Sequence, residues 1–168
     1  VPNRSLTDKV PPTEPAFFNP RAKLNRDFSI IAYSTFWKTF DKPKIFLDGL
    51  TGVGARALRV ANEIDNVEKI VLNDVNSRGL ELAKESFALN KFENFELSEN
   101  ETCRFFSLHS QKNSRGSIVD VDPFGSPSKY LDCAIRATIH GGLLSITATD
   151  LQVLHGLFNK AAKRSYCG

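Results

Sequence analysis

The sequence predicts an α/β fold of the Rossmann-like kind, in which an open, mostly parallel sheet carries helices on both faces. Three observations support this fold. Short apolar runs alternate with segments of helical periodicity, glycines follow the first run, and acidic residues stand at the ends of several runs. Alternating strands and helices favour parallel strands joined by right-handed crossovers. The 168 residues are enough for one domain with a sizeable core.

The predicted elements follow one another in a regular order. Five apolar runs are expected to be strands, at residues 45–50, 69–73, 103–108, 117–121 and 143–147. Helices are expected at residues 25–40, 55–63, 76–90 and 127–140. Ser126 and Pro127 are suited to begin the last helix, and Gly141 is suited to end it.

The chain divides into an arm and a folded domain. Residues 1–18 hold four prolines and few aliphatic residues, which predicts an extended N-terminal arm. Residues 19–168 are expected to form the domain. The chain begins with valine and contains no methionine, so we expect it to be a piece of a longer protein.

The composition of the chain argues against a membrane protein, a disulfide-rich protein and a metal site. No run of 18 apolar residues is present, which argues against a membrane span. The three cysteines lack paired spacing and the three histidines lack ligand spacing, so neither a disulfide framework nor a metal site is expected. An intracellular, reducing environment fits this cysteine usage. A net charge of +3 permits a nucleic-acid partner without requiring one.

A glycine turn follows the first predicted strand. Residues 52–57 read Gly-Val-Gly-Ala-Arg-Ala, which fits the pattern G-x-G-x-x-A before a helix. Glycines at such a turn let the backbone approach a ligand near the positive end of the helix. Asp74 ends the next strand, where a carboxylate can accept hydrogen bonds from ribose hydroxyls. Gly52, Gly54 and Asp74 therefore predict a cofactor that contains adenosine, and leave both NAD and S-adenosylmethionine open.

Asp48 bears on that choice because it ends the first strand just before the glycine turn. A carboxylate there would repel a pyrophosphate, whereas it suits the cationic sulfonium and amino groups of S-adenosylmethionine. The position of Asp48 thus favours a methyl donor, and we expect Asp48 to be one of the cofactor-binding residues.

The fourth predicted strand ends in Asp122-Pro123-Phe124-Gly125. A carboxylate in this place can accept a hydrogen bond from an exocyclic amine, and the neighbouring aromatic ring can stack on a base. The motif predicts Asp122 and Phe124 as catalytic residues of methyl transfer to an amine. A purely structural turn is the alternative for Asp122.

Several stretches together form a combination that is more specific than any one motif. They are residues 19–20 with 25–29, then 48–59, 73–74, 122–127 and 141–150. From about Phe17 onward, the chain resembles the tRNA (guanine-26) N2-dimethyltransferases and their paralogues.

This resemblance implies a class I methyltransferase fold, truncated after about the fifth strand, with S-adenosylmethionine as cofactor and tRNA as substrate. It implies that Arg26, Arg56 and Asp74 hold the cofactor, while Asp122 faces the N2 amine of a guanine. A C-terminal domain that adds RNA contacts is expected beyond this segment, and neither a metal nor a membrane is expected.

Two alternatives stay open. After its third strand, the family usually has an acidic residue followed by alanine, and this chain has His109-Ser110 in the predicted place. That departure leaves room for a catalytically silent, tRNA-binding paralogue. An amino-methyltransferase acting on DNA or protein shares the Asp-Pro-aromatic pattern and is the second alternative.

Overall fold

The computed structural model describes residues 16–166, which form one five-stranded parallel sheet with the strand order β3-β2-β1-β4-β5. The strands are β1 (Ile45–Asp48), β2 (Lys69–Asn73), β3 (Phe95–Ser98), β4 (Gly116–Val121) and β5 (Thr138–Ile146). The helices are α1 (Lys23–Lys38), α2 (Ala55–Glu63), α3 (Ser77–Leu89), α4 (Thr102–Leu108), α5 (Leu131–Ala137), α6 (Leu151–Leu154) and α7 (Asn159–Tyr166). Short 3₁₀ turns precede α1 and α5. Most of the expected N-terminal arm lies outside the described residues.

Two apolar clusters cover the two faces of the sheet. On one face α1, α2 and α3 pack over Phe46 of β1 and Ile118 of β4. On the other face α4 and α5 pack over Leu47 and Val119 of the same strands. Strands buried on both sides read as continuous apolar runs, which is why the central strands were visible in the sequence. The predicted Rossmann-like fold, with helices on both faces, is confirmed.

The register of the central strands places two aspartates side by side. Asp48, the last residue of β1, pairs with Asp120 of β4 on one side and with Leu72 of β2 on the other. The carboxyl ends of β1, β2 and β4 therefore meet at one edge of the sheet. In open α/β sheets, ligands bind outside this edge.

The third predicted strand was wrong. Residues 102–108 form helix α4, which the Glu101 side chain caps by accepting a hydrogen bond from the Arg104 N–H at 3.0 Å. Its apolar residues Phe105 and Phe106 are both buried on one face of the sheet. A short apolar run does not distinguish a strand from a buried helix. The actual third strand is β3, an outer strand with exposed positions that weaken its apolar pattern.

The last predicted helix was too long. It begins with a 3₁₀ turn at Ser128–Tyr130 and ends at Ala137, so that residues 138–142 belong to β5. Gly141 does not end a helix. It has a φ of +78° within β5, close to the place where the pairing of β5 with β4 shifts register. Because an irregular strand of this kind lacks a regular alternation of apolar and polar residues, the sequence pattern does not predict it.

A disulfide bond joins Cys103 of α4 to Cys133 of α5, whose Cα atoms are 5.5 Å apart. The expectation of no disulfide was wrong for this pair, because the packing of α4 against α5 brings together cysteines that are 30 residues apart. The expectation of a reducing environment rested on the absence of paired cysteines, and this disulfide removes that support. Cys167 lies outside the described residues.

No helix within residues 16–166 is long and apolar enough to cross a membrane. In the same range, no group of three or more His, Cys, Asp or Glu residues could hold a metal ion.

Candidate active site

A cavity of about 580 Å³ opens at the carboxyl ends of β1, β2 and β4. Its size falls in the range of small-molecule sites. Seven of the eight residues predicted from the sequence to form the site line it: Arg26, Asp48, Gly52, Arg56, Asp74, Asp122 and Phe124. The eighth, Gly54, belongs to the glycine turn but does not line the cavity. The topology thus brings together residues that are spread over almost one hundred positions of the chain.

The glycine turn is shaped by backbone conformations that favour glycine. Gly52 and Gly54 have φ angles of +55° and +74°, and Gly54 is the N-cap of α2. A Cβ at Gly54 would lie 2.8 Å from the Cβ of Ala83, so this glycine also lets α2 approach α3 closely. Gly54 therefore serves the packing of α2 against α3 rather than lining the cavity.

Asp74 holds the turn in place. Its Oδ2 accepts a hydrogen bond from the Gly52 N–H at 2.8 Å, and its Oδ1 accepts one from the Asn76 N–H at 2.9 Å. Asp74 is not the N-cap of α3, because the Asn76 side chain occupies that role. Its carboxylate lies between the glycine turn and the start of α3, on the wall of the cavity.

Arg56 is the most extensively bonded side chain of the site, and only 7% of it is exposed. Its Nε lies 3.1 Å from Asp120 Oδ2, and its Nη2 donates to Asp122 Oδ2. The guanidinium also donates to Asn25 Oδ1 at 2.8 Å and to Ser29 Oγ. Burial lowers the pKa of Arg56, but the negative charges around it outweigh burial and the net shift is upward. Arg56 is therefore a fixed cation that joins α1, α2 and β4.

Two neighbouring carboxyl groups form the floor of the site. Asp48 is 2% exposed and accepts a hydrogen bond from Thr51 Oγ1 at 2.8 Å, while Asp120 is 1% exposed. Burial, and then the charge of Asp120, raise the pKa of Asp48 to about 8. Burial also raises the pKa of Asp120, against the opposing effect of Arg56. The buried pair therefore holds a proton more readily than two separate carboxylates in water would.

The turn after β4 presents an aromatic ring at the mouth of the cavity. Gly125 donates its N–H to Thr149 Oγ1 at 2.8 Å and accepts the Thr149 N–H at 3.1 Å, which pins the turn to the chain beyond β5. Phe124 is 70% exposed, and its ring meets the ring of Phe17 edge-on, with centroids 4.6 Å apart. The Asp122 side chain beside it is 34% exposed. A carboxylate and an aromatic face are thus offered together to a ligand.

Arg26 forms another wall. Its Nη1 donates to the Asn19 carbonyl at 3.1 Å, and its guanidinium lies over the ring of Phe18, 5.2 Å from the centroid. Burial, followed by the charge of Arg56, lowers the pKa of Arg26. The Arg26 guanidinium lines the cavity, where it suits a carboxylate of a ligand.

The comparisons with known proteins agree with this geometry. The model of the family described as "N2,N2-dimethylguanosine tRNA methyltransferase" matches residues 1–168. The chain belongs to this family.

Two relatives carry the same protein name and come from different organisms. The tRNA (guanine(26)-N(2))-dimethyltransferase of Methanobrevibacter smithii is 35% identical over 159 residues, which cover 95% of this chain and 40% of that protein. The protein of the same name from Methanopyrus kandleri is 37% identical over 165 residues, which cover 94% and 42%. The chain therefore spans less than half the length of these relatives.

Solved structures agree in fold. The structure of Trm1 from Pyrococcus horikoshii with S-adenosyl-L-methionine has a TM-score of 0.81 and 30% identity, covering 94% of this chain and 44% of that one. A SAM-dependent methyltransferase from Agrobacterium tumefaciens has a TM-score of 0.63 at 20% identity and is similar in fold. The class I methyltransferase fold is thus confirmed.

The apparent departure from the family pattern is smaller in the structure than in the sequence interpretation. His109 follows a helix, not the third strand, and its Nδ1 lies 3.0 Å from the Ser114 carbonyl, away from the cavity. The residues after β3 are Glu99, Asn100 and Glu101, so acidic side chains stand in the place where the family has one, but neither is followed by alanine. His109-Ser110, which had favoured a silent paralogue, therefore do not occupy the position after the third strand. Asp150 is also outside the cavity, where it accepts the Tyr166 hydroxyl at 2.7 Å.

Sequence reasoning missed the inner part of the site. Asp120, Tyr33, Asn25 and Ser29 surround Arg56, and none of them was assigned a role. One signal was available, because Asp120 is a carboxylate within an apolar run that was correctly read as a strand. A charge in such a run is costly unless it is paired, so it implies a buried cation nearby.

Proposed function

We propose that this chain forms the cofactor-binding and catalytic part of an S-adenosylmethionine-dependent tRNA methyltransferase that acts on the exocyclic N2 of guanine 26. The observation that carries the proposal is the placement of Asp122 and Phe124. Both lie at the mouth of the cavity whose inner wall is the glycine turn with Asp74. A site for a substrate amine is therefore adjacent to a site for an adenosine-containing cofactor.

The side chains of the cavity fit S-adenosylmethionine. We assign Asp74 to the ribose hydroxyls, Asp48 to the amino group, and Arg26 to the carboxylate of the methionine part, since all three line the cavity. A second observation supports the fit: Gly52, with a φ of +55°, lines the cavity, and its lack of a side chain lets a ligand approach the backbone there. When bound, the cofactor supplies an electrophilic methyl group, which no protein side chain provides.

The residues around Asp122 act on the substrate side. Within the described part of the chain, Asp122 Oδ2 accepts a hydrogen bond from Arg56. Asp122 Oδ1 is then left to accept a hydrogen bond from the guanine amine. That bond directs the nitrogen lone pair into the cavity, and the same carboxylate can take up the proton that the amine loses. Phe124, steadied by Phe17, offers a face on which the guanine ring can stack.

Guanine 26 and tRNA enter this proposal through the relatives. Proteins that carry the name tRNA (guanine(26)-N(2))-dimethyltransferase are 35% and 37% identical to the chain. The chain covers 40% and 42% of their lengths, and we propose that the remainder of such proteins adds contacts to the tRNA.

The test is a methylation assay with the complete natural protein and labelled S-adenosylmethionine. A tRNA transcript with guanine at position 26 is compared with one that has inosine there, which keeps the ring but lacks the exocyclic amine. We expect label in the first transcript, recovered as N2-methylated guanosine, and none in the second. Equal labelling of both, or no labelling of either, would overturn the proposal.

A further inference from the structure

Two buried hydrogen bonds connect α1 to β4 side by side. The Trp37 Nε1–H donates to Ser117 Oγ at 3.0 Å, and the Tyr33 hydroxyl donates to Asp120 Oδ1 at 2.5 Å. The two donors are one helical turn apart, and all four side chains are buried. The first bond ends within the core. The acceptor of the second bond, Asp120, lines the cavity. Loss of the first bond can therefore serve as a control for loss of the second.

Asp120 lies directly beneath the reactive part of the site. Asp120 lies on β4, and Asp122 follows it by two residues, just after the strand ends at Val121. Both carboxylates contact the same guanidinium, that of Arg56. Between the two carboxylates lies the Arg56 guanidinium, with its Nε 3.1 Å from Asp120 Oδ2 and its Nη2 bonded to Asp122 Oδ2. A planar guanidinium held at Nε has a restricted orientation at Nη2. The direction of Arg56, and hence of Asp122, therefore depends on Asp120 together with Asn25 and Ser29, which accept hydrogen bonds from the same guanidinium.

Tyr33 fixes the other oxygen of Asp120. Its hydroxyl is also 2.6 Å from Ser145 Oγ on β5, so the tyrosine is held from two strands. Burial, followed by the charge of Asp120, raises the pKa of Tyr33, and the hydroxyl therefore keeps the proton that it donates. Tyr33, Asp120, Arg56 and Asp122 thus form a continuous chain of polar contacts from α1 to the cavity mouth.

We propose that Asp120 is a positioning residue for methyl transfer: anchored by Tyr33, it orients the Arg56 guanidinium, which in turn fixes the Asp122 carboxylate toward the amine. This inference rests on the proposed function, in which Asp122 faces the guanine amine. The reacting groups of a transferase must be held within a fraction of an ångström, so a carboxylate that is present but turned supports turnover poorly. Asp120 touches no substrate in this account.

A merely structural role makes a different prediction, and the parallel bond supplies the control. Tyr33→Phe removes the buried hydrogen bond to Asp120 and the contact with Ser145. Ser117→Ala removes the buried hydrogen bond from Trp37 and the bonds of Ser117 to the Ile45 backbone. If Asp120 only neutralises Arg56 in the core, both variants lose stability and neither changes kcat selectively. If Asp120 positions Asp122, Tyr33→Phe lowers kcat and Ser117→Ala leaves it within about twofold of the wild type.

The experiment measures kcat, KM for tRNA, the cofactor dissociation constant and Tm for Tyr33→Phe, Asp120→Asn and Ser117→Ala in the complete protein. We expect kcat to fall roughly 10- to 100-fold in Asp120→Asn and about 3- to 10-fold in Tyr33→Phe, with KM and cofactor affinity within about threefold. Tyr33→Phe keeps the charge of Asp120, and so still decides the matter if Asp120→Asn folds poorly. A kcat in Tyr33→Phe equal to that of Ser117→Ala would overturn the inference.

A double-mutant cycle separates this inference from the proposed function. Because Asp120 acts through Asp122, adding Asp120→Asn to Asp122→Ala should change kcat by less than about twofold. A full additional loss in the double variant would overturn the positioning role. If Asp122→Ala itself retains wild-type turnover, the proposed function fails instead. If Asp122→Ala is slow while Asp120→Asn keeps the wild-type kcat, only the positioning role fails.

Discussion

The guanidinium of Arg56 on α2 is bonded to the carboxylate of Asp122 at the end of β4. The sequence had assigned these residues to different tasks, Arg56 to the cofactor and Asp122 to the substrate amine. In the structure they form an ion pair with each other, and Arg56 also forms an ion pair with Asp120. Arg56 therefore contacts the proposed substrate side of the cavity directly, through Asp122. Its role toward the cofactor stays a prediction.

Replacement of Arg56 should destabilise the fold. Arg56→Ala leaves the buried carboxylate of Asp120 without its cation, and removal of one partner of a buried pair costs about 3 to 5 kcal/mol. The matched control is Arg78→Ala, since Arg78 forms an exposed pair with Glu81 whose loss should cost no more than about 0.5 kcal/mol. Urea denaturation measures both. Similar losses in the two variants would contradict the buried role of Arg56.

Replacement of Asp74 should weaken the cofactor. Asp74→Ala removes the proposed acceptor for the ribose hydroxyls and frees the Gly52 N–H, so affinity for S-adenosylmethionine should fall by roughly 1.5 to 3 kcal/mol. Calorimetry measures the change. Asp150→Ala is the control, because Asp150 also follows a strand but lies outside the cavity. Unchanged affinity in Asp74→Ala, or an equal loss in Asp150→Ala, would refute the assignment.

The raised pKa of Asp48 predicts a dependence of stability on pH. Because the folded protein holds a proton on Asp48 up to about pH 8, and the unfolded chain loses it near its usual value of about 3.9, the folded state binds more protons in between. The stabilisation from the neutral carboxyl is complete below the unfolded pKa and is lost as pH rises through the folded pKa. The Asp48→Asn variant has no carboxyl group at this position, so its stability does not fall with rising pH for this reason.

The unfolding free energy of Asp48→Asn relative to the wild type should therefore increase between about pH 4 and pH 8, by at most about 1.4 kcal/mol per pH unit. Asp132→Asn is a suitable control, because Asp132 is exposed on α5 and its difference from the wild type should stay nearly constant. Urea denaturation at several pH values measures both series. A constant difference for Asp48→Asn over this range would show that the buried pair holds no extra proton.

Much of the fold could be predicted because its signals are local. The bounds of α2 and β2 agree residue for residue with the predicted ranges 55–63 and 69–73. A capped helix after a glycine turn and a strand buried on both faces are each recognisable within a few residues. The run at 103–108 failed because its apolar pattern fits a strand and a short helix equally well, and only packing against the sheet decides between them.

The inner part of the site could not be predicted because its contacts are distant in sequence. Tyr33 and Asp120 are 87 residues apart, and Arg56 and Asp122 are 66 apart. The cavity wall could be inferred because carboxylates at strand ends converge in any open parallel sheet. Which arginine meets which carboxylate depends instead on how α1 and α2 lie on the sheet, and no local pattern records this.

The most direct test of the account is the turnover of Asp122→Ala in the complete protein, measured with tRNA and labelled S-adenosylmethionine beside a cofactor-binding control. If Asp122 positions the guanine amine, cofactor affinity and folding should survive while methyl transfer falls on the order of 10²- to 10³-fold. If Asp122 only stabilises a turn, turnover should stay within about threefold of the wild type, a change of less than ~0.7 kcal/mol in the barrier. The second result would contradict the central claim.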